Sequence, residues 1–175
     1  MGDPSFPVGR FVAPEAITPD DRERLLVEIE EAPVRLGAAV SGLTEAQIDT
    51  PYRDGGWTVR QVVHHLPDSH LNSYTRFRLA LTEDEPTIRP YQEGRWAELP
   101  DARTAPVEVS LALLEALHRR WALLLRSLTS EQWVLRFRHP DLGLVPLDRN
   151  LALYAWHGRH HVAHITSLRE RRGWL

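Results

Sequence analysis

The sequence predicts an all-α protein, a four-helix bundle with long loops. Three observations predict it. Four long stretches place apolar residues at helical spacing, capping patterns mark where helices start, and strand signals are few. No internal repeat or low-complexity segment occurs, and 175 residues read most simply as one domain spanning 1–175.

Residues 1–19 carry Pro4, Pro7, Pro14 and Pro19 with little periodicity, which reads as an extended N-terminal arm. The first helix starts cleanly: Thr18 can cap it, Pro19 suits the first helical position, and Asp20 and Asp21 favour its positive end. Leu25, Ile29, Leu36 and Val40 give it an apolar stripe to about Ser41, with Pro33 inside expected to bend it. Thr44-Glu45-Ala46-Gln47 is a capping box for a single turn, and Pro51–Gly56 is turn material. A further capping box, Thr58-Val59-Arg60-Gln61, opens the second long helix. Val59, Val62, Val63, Leu66, Phe77 and Leu81 form its stripe, and Pro67 predicts a kink beside the His64–His65 pair. A loop from about Thr82 to Pro106 is rich in proline and charge, a length that in a compact domain points to a functional or surface-ordered segment. The third helix carries a bundle seam: Val107, Leu111, Leu114, His118, Trp121, Leu125 and Leu128. A short capped turn follows at Thr129–Gln132, and residues 136–146 read as a loop or short hairpin. The fourth helix runs from Leu147 or Asp148 to Arg172 and stops at Gly173.

Composition narrows the chemistry. A formal charge of −3 gives no electrostatic reason to expect nucleic-acid or anionic-membrane binding. No stretch approaches a spanning helix, and the opening residues Met1-Gly2-Asp3-Pro4 do not read as a signal peptide, so the expected location is cytoplasmic. The chain has no cysteine, which removes thiolate ligands, disulfides and Cys nucleophiles. All 21 basic Lys or Arg positions are arginine, which removes lysine Schiff bases and Walker-type lysines. Metals, or Ser, His and carboxylates, remain.

The nine histidines direct attention to the last helix. Asn150, Tyr154, His157, His161, His164 and Leu168 fall within about 80° of one another at roughly 100° per residue, while His160 lies off to the side. His157 and His161, four residues apart, can aim two imidazoles at one point, as a metal site requires. A third ligand must come from elsewhere. On the second helix His65 shares a polar line with Ser69, Asn72 and Arg76, which a bundle could use to line a pocket. His70 sits nearer the centre of the apolar stripe, so spacing favours His65 over His70. His118, in the seam beside Trp121, reads as a core histidine that could wall the pocket or relay a proton. There is no HExxH, so a zincin mechanism is not supported, and no GxSxG or GxGxxG occurs. Asp68 is a candidate carboxylate or base near His65.

The run from Tyr52-Arg53-Asp54-Gly55-Gly56-Trp57-Thr58-Val59-Arg60-Gln61 to Val62-Val63-His64-His65 resembles the signature of the YfiT group within the DinB superfamily. The match continues through Asp68-Ser69-His70, Asn72-Ser73-Tyr74, Arg76-Phe77, Leu117-His118, Arg120-Trp121 and the His-rich closing helix. The resemblance implies an up-down-down-up bundle, usually a homodimer, with one divalent ion per subunit, zinc or nickel, held by His65, His157 and His161. Pro67 departs from the pattern, where alanine is expected. The implied activity is metal-dependent hydrolysis of a small-molecule substrate. Related members join a low-molecular-weight thiol such as bacillithiol to electrophiles.

Three neutral imidazoles would leave an ion with open positions. One of these could take a water whose pKa falls to roughly 7, or a thiol as thiolate. Candidate catalytic groups are Asp68 and His164, and the candidate substrate pocket comprises Ser69, Asn72, Arg76, His118 and Tyr154. Arg76, Arg53 or Arg95 could hold a carboxylate of such a thiol. The competing class is a non-catalytic bundle in which His164 or His70 closes the metal as a fourth ligand and the ion merely staples helices.

Overall fold

A computed structural model describes residues 3–174; Met1 and Gly2, at the start of the expected arm, and Leu175 lie outside the described residues. The chain runs α1 (Pro19–Val40), α2 (Glu45–Ile48), α3 (Val59–Thr82), α4 (Glu93–Trp96), α5 (Pro100–Thr104), α6 (Val107–Arg126), α7 (Ser130–Trp133), β1 (Arg136–His139), β2 (Gly143–Pro146) and α8 (Leu147–Arg172). The capping chemistry takes the places the sequence assigns it. The Thr18, Thr44 and Thr58 side chains accept from the backbone N–H three residues on, and Asp21, Gln47 and Gln61 reach back to the cap. Both α1 and α3 continue as helix past their internal prolines, Pro33 and Pro67. Residues 136–146 form the antiparallel hairpin β1–β2.

Side-chain pairings give the directions of the four long helices. Arg22 faces Asp148, Glu28 pairs with Arg159, and Ala39 accepts from Arg169, so α1 and α8 run parallel. His64 meets Ser110 and His70 meets His118, so α3 and α6 also run parallel. Ser73 meets Asn150 while His65 meets His157, so α3 and α8 are antiparallel. The topology is up-down-down-up. It also explains the long segment between α3 and α6. The 24 residues of α3 span about 36 Å, and a chain entering a parallel neighbour must return that whole distance. The segment is this crossover, and it carries the short helices α4 and α5.

The crossover is tied down from below. The buried guanidinium of Arg60 donates to Asp49 at 2.7 Å, to Glu45 at 2.5 Å and to the Ala105 carbonyl at 2.8 Å. Gln61 donates to the Ala97 carbonyl at 2.8 Å. His64 contacts the Ser110 hydroxyl at 2.7 Å and donates to the Ala105 carbonyl at 3.1 Å, so this member of the His pair is committed to structure.

Two apolar clusters fill the bundle. One centres on Ile29, Phe77, Trp121, Leu125 and Leu151. The other centres on Leu36, Val62, Leu66, Leu114 and Ile165. Between them, at the level of Ala32, His70, His118 and Gly158, the core is polar. Gly158 keeps α1 and α8 close there: a Cβ on it would lie 3.4 Å from the Ala32 methyl and 3.9 Å from the His70 ring. One methyl just fits, and Gly→Ala in a helix interior is worth up to about 1 kcal/mol. Gly158→Ala should therefore unfold within about 1 kcal/mol of the parent. Gly158→Val should lose about 1–3 kcal/mol to overpacking, as read from urea denaturation midpoints.

Candidate metal centre

Three imidazoles converge from two helices. His65 leaves α3 two turns after its capping box, and His157 and His161 leave one face of the antiparallel α8. One ring nitrogen from each lies within 4.8 Å of the others. The His65 and His157 Nε2 atoms are 3.2 Å apart. Two nitrogens on a tetrahedral zinc, each at about 2.0–2.1 Å, would be separated by about 3.3–3.4 Å, so the pair needs little adjustment to share an ion. The ring centroids of His157 and His161 lie 4.4 Å apart, and those of His65 and His161 4.8 Å.

The three rings open on a cavity of about 380 Å³. Its walls are largely aromatic. Trp57 packs on His65 with centroids 4.8 Å apart, and Tyr52 stacks on His164 at 4.0 Å. The turn between them positions both: Tyr52 N–H donates to the Trp57 carbonyl at 2.9 Å, and Gly55 takes a positive φ of 65° that an L side chain rarely adopts. The N-terminal arm supplies another wall. Phe6 lines the cavity and tilts against His160, and the Trp156 indole donates to the Gly9 carbonyl at 3.2 Å. Arg53 and Glu93 are charged groups on the same lining.

Behind the cavity the imidazoles contact further imidazoles. His157 Nδ1 lies 3.1 Å from His70 Nε2, and His70 Nδ1 lies 2.8 Å from His118 Nε2. His118 Nδ1 in turn lies 2.5 Å from the Ile29 carbonyl oxygen. On the other side, His161 Nδ1 is 3.4 Å from His164 Nδ1, and His164 Nε2 is 3.3 Å from the Ser5 carbonyl oxygen. His70 and His164 thus have both nitrogens engaged, and neither is free to close the site as a fourth ligand.

Burial keeps these rings neutral. Desolvation holds the His65 imidazole down at about 4, and His160 and His164 add repulsion. It holds His118 and His164 at about 4 and His70, His157 and His161 well below their ordinary value. Neutral imidazole is the form that binds a metal. Asp68 moves the other way: burial, helped by Asp101, raises its carboxyl to about 6.

The residues expected around the ion take varied places. His65, His157 and His161 come together, and His164 backs His161. The expected substrate pocket does not form the cavity wall. Ser69, Asn72, Arg76, His118 and Tyr154 are absent from its lining. Tyr154 packs against His157 with centroids 5.5 Å apart and meets the buried Arg76 guanidinium at 3.5 Å, deeper in the bundle. Asn72 donates to the Asp68 carbonyl and faces a separate crevice beside α4, where Arg95 also lies. Asp68 is likewise outside the cavity lining. Ser69 and Arg76 of the polar line on α3 are buried away from this cavity and Asn72 turns to the other crevice, because helical spacing gives a face but not a depth. His160, expected off to the side, is buried and forms part of the cavity wall, stacked on Trp156 at 4.5 Å. Ser5, Phe6, Tyr52, Trp57 and Glu93 were not anticipated on the lining. The motif around Tyr52 and Trp57 marked two of them, but nothing in the arm's sequence marks Ser5 or Phe6.

A family model described as the DinB superfamily matches residues 28–165. A protein of Bacillus cereus strain AH820 is 55% identical over 174 residues, covering 99% of this chain and all of its own. YfiT of Bacillus subtilis strain 168 is 53% identical over 171 residues, covering 97% and 96%. Both carry provisional names as metal-dependent hydrolases. The solved structure of YfiT from Bacillus subtilis, described as an unusual four-helix-bundle topology, superposes with a TM-score of 0.96 at 52% identity, covering 98% of this chain and 99% of that one. Another solved four-helix bundle, 22% identical with a TM-score of 0.56 over 81% of this chain, shares the fold.

Acid should unfold the metal-free protein. A ring held at about 4 when folded and near 6.5 when unfolded contributes stability that is complete above pH 6.5 and is lost as pH falls towards 4. Each such ring adds a slope approaching about 1.4 kcal/mol per pH unit, opposed between pH 4 and 6 by the single raised carboxyl of Asp68. Denaturation midpoints followed by circular dichroism in EDTA should drop steeply between pH 7 and 4.5. A flat profile would contradict the burial of neutral rings.

Proposed function

This chain belongs to the DinB superfamily, and we propose that it is a metal-dependent hydrolase whose single divalent ion, zinc or nickel, is held by His65, His157 and His161. The convergence of three neutral imidazoles at the floor of an aromatic-walled cavity carries this reading. The donor set suits either metal, since imidazole serves several first-row ions. Three converging imidazoles leave coordination positions open, the pattern of a catalytic rather than a structural site; His160, whose buried Nδ1 has no partner, lines the same cavity but lies outside the converging group. A bound ion would supply Lewis acidity there and lower the pKa of water to about 7.

The chain's own residues do the remaining work. Trp57, Tyr52 and Phe6 give the walls beside the imidazoles apolar surface, which lowers the local dielectric and strengthens electrostatic interactions at the floor. Arg53 offers a cationic contact and Glu93 an acceptor on the wall. The stapled-bundle alternative loses its candidate fourth ligands, because both nitrogens of His70 and His164 are engaged.

Two measurements test the reading. Metal analysis should find about one zinc or nickel per chain in the parent and in His160→Ala, and little in His161→Ala. Equal metal in both variants would overturn the ligand assignment. The loaded protein, given an electrophilic ester reporter with and without added small thiols, should turn it over without thiol. Strict thiol dependence would replace hydrolysis by S-transfer from a low-molecular-weight thiol to the electrophile, the leaving group departing with a proton; this cysteine-free chain cannot supply that thiol itself.

A further inference from the structure

We propose that His70 and His118 form a relay, anchored on the Ile29 carbonyl, that fixes His157 as its Nδ1–H tautomer and presents the Nε2 lone pair to the ion. His164, anchored on the Ser5 carbonyl, does the same for His161. Both statements rest on the metal assignment made above.

The direction of the relay follows from its far end. A carbonyl oxygen only accepts, so His118 Nδ1 must carry the proton it donates to Ile29 across 2.5 Å. That carbonyl is free for a structural reason. Its helical partner would be the N–H of residue 33, and residue 33 is proline, which has none. With Nδ1 protonated and the ring neutral, His118 Nε2 is an acceptor, so His70 Nδ1 donates to it at 2.8 Å. His70 Nε2 is then an acceptor, and His157 Nδ1 donates to it at 3.1 Å. What remains on His157 is an unprotonated Nε2, the atom 3.2 Å from His65 Nε2. One end group sets three tautomers in series, and each of the four long helices contributes one member: Ile29, His118, His70 and His157.

The second limb has the same logic. His164 Nε2 donates to Ser5 at 3.3 Å, its Nδ1 accepts from His161 Nδ1 at 3.4 Å, and His161 is left with a bare Nε2. Metal-ligating histidines commonly donate their other N–H to a carboxylate or carbonyl, and removing that acceptor typically lowers metal affinity about 10–100-fold. Here the acceptor is another imidazole. Its own tautomer must be set before it can accept, which is why His118 is needed two rings away. His70, His118 and His164 are positioning residues on this view, not ligands.

The test uses full-length protein labelled with ¹⁵N-histidine and Zn²⁺ as the probe. Imidazole ¹⁵N shifts should report His157 and His161 protonated at Nδ1 in the metal-free form, with Nε2 shifting on Zn²⁺ addition. Zn²⁺ affinity, by competition with a chromophoric chelator, should fall about 10–100-fold in His70→Leu. The fall should be smaller in His164→Leu, whose hydrogen bonds are longer. His70→Gln, which keeps an acceptor near the Nε2 position, should recover most of the affinity. His118→Leu should weaken binding only while His70 is present, so the double variant binds no worse than His70→Leu. A merely space-filling role predicts no rescue by glutamine and additive losses. Wild-type affinity in a folded His70→Leu, or Zn²⁺ bound through His157 Nδ1, would overturn the relay. If His70→Leu fails to fold, the wild-type tautomers decide. If the wild type binds no Zn²⁺ the metal reading falls, while the metal-free tautomers still judge the relay.

Discussion

The protein is organised around the cost of burying uncharged but polar rings. Between two apolar clusters the bundle places a layer of imidazoles, and a buried ring nitrogen without a partner costs about 1–3 kcal/mol. His157, His70 and His118, and likewise His161 and His164, are satisfied by connecting ring to ring and ending on backbone carbonyls at Ile29 and Ser5; the buried His160 Nδ1 alone among these rings lacks a partner. That solution needs α1, α3, α6 and α8 in one register. A slip of any helix by a turn would open the string, so the polar layer gives the packing a specificity that interchangeable Leu and Val contacts would not.

The same layer separates two kinds of histidine that the sequence writes side by side. His64 and His65 are neighbours on α3, yet His64 serves the crossover through Ser110 and Ala105 while His65 joins the converging rings. His160 and His161 divide similarly: one stacks on Trp156 in the wall, the other turns its Nδ1 towards His164. Without cysteine or lysine, the chain builds its site from a residue type whose role is decided by which nitrogen is protonated, and that is decided by neighbours.

Much of this was legible in the sequence. The capping threonines, the heptad-like seam from Val107 to Leu125 and Gly173 fix where the long helices start and stop, and the spacing of His157 and His161 marks a shared face. Other features are non-local. The crossover reads in sequence as a functional or surface-ordered loop because nothing in residues 83–106 says that the helices on either side are parallel. Ser69, Asn72 and Arg76 share a stripe with His65, but Ser69 and Arg76 are buried away from the cavity lining and Asn72 faces a separate crevice, because depth along a bundle is set by the partner helix. The arm contributes Ser5 through a backbone carbonyl, which no side-chain pattern can announce.

Pro33 has no functional group, and read alone it is a flaw in α1. Its effect is to leave one carbonyl unclaimed at the level where His118 arrives. Positions 33 and 118 are therefore physically coupled: an amide restored at 33 would compete for the oxygen that orients His118, and a residue without a side-chain donor at 118 would leave that oxygen unsatisfied.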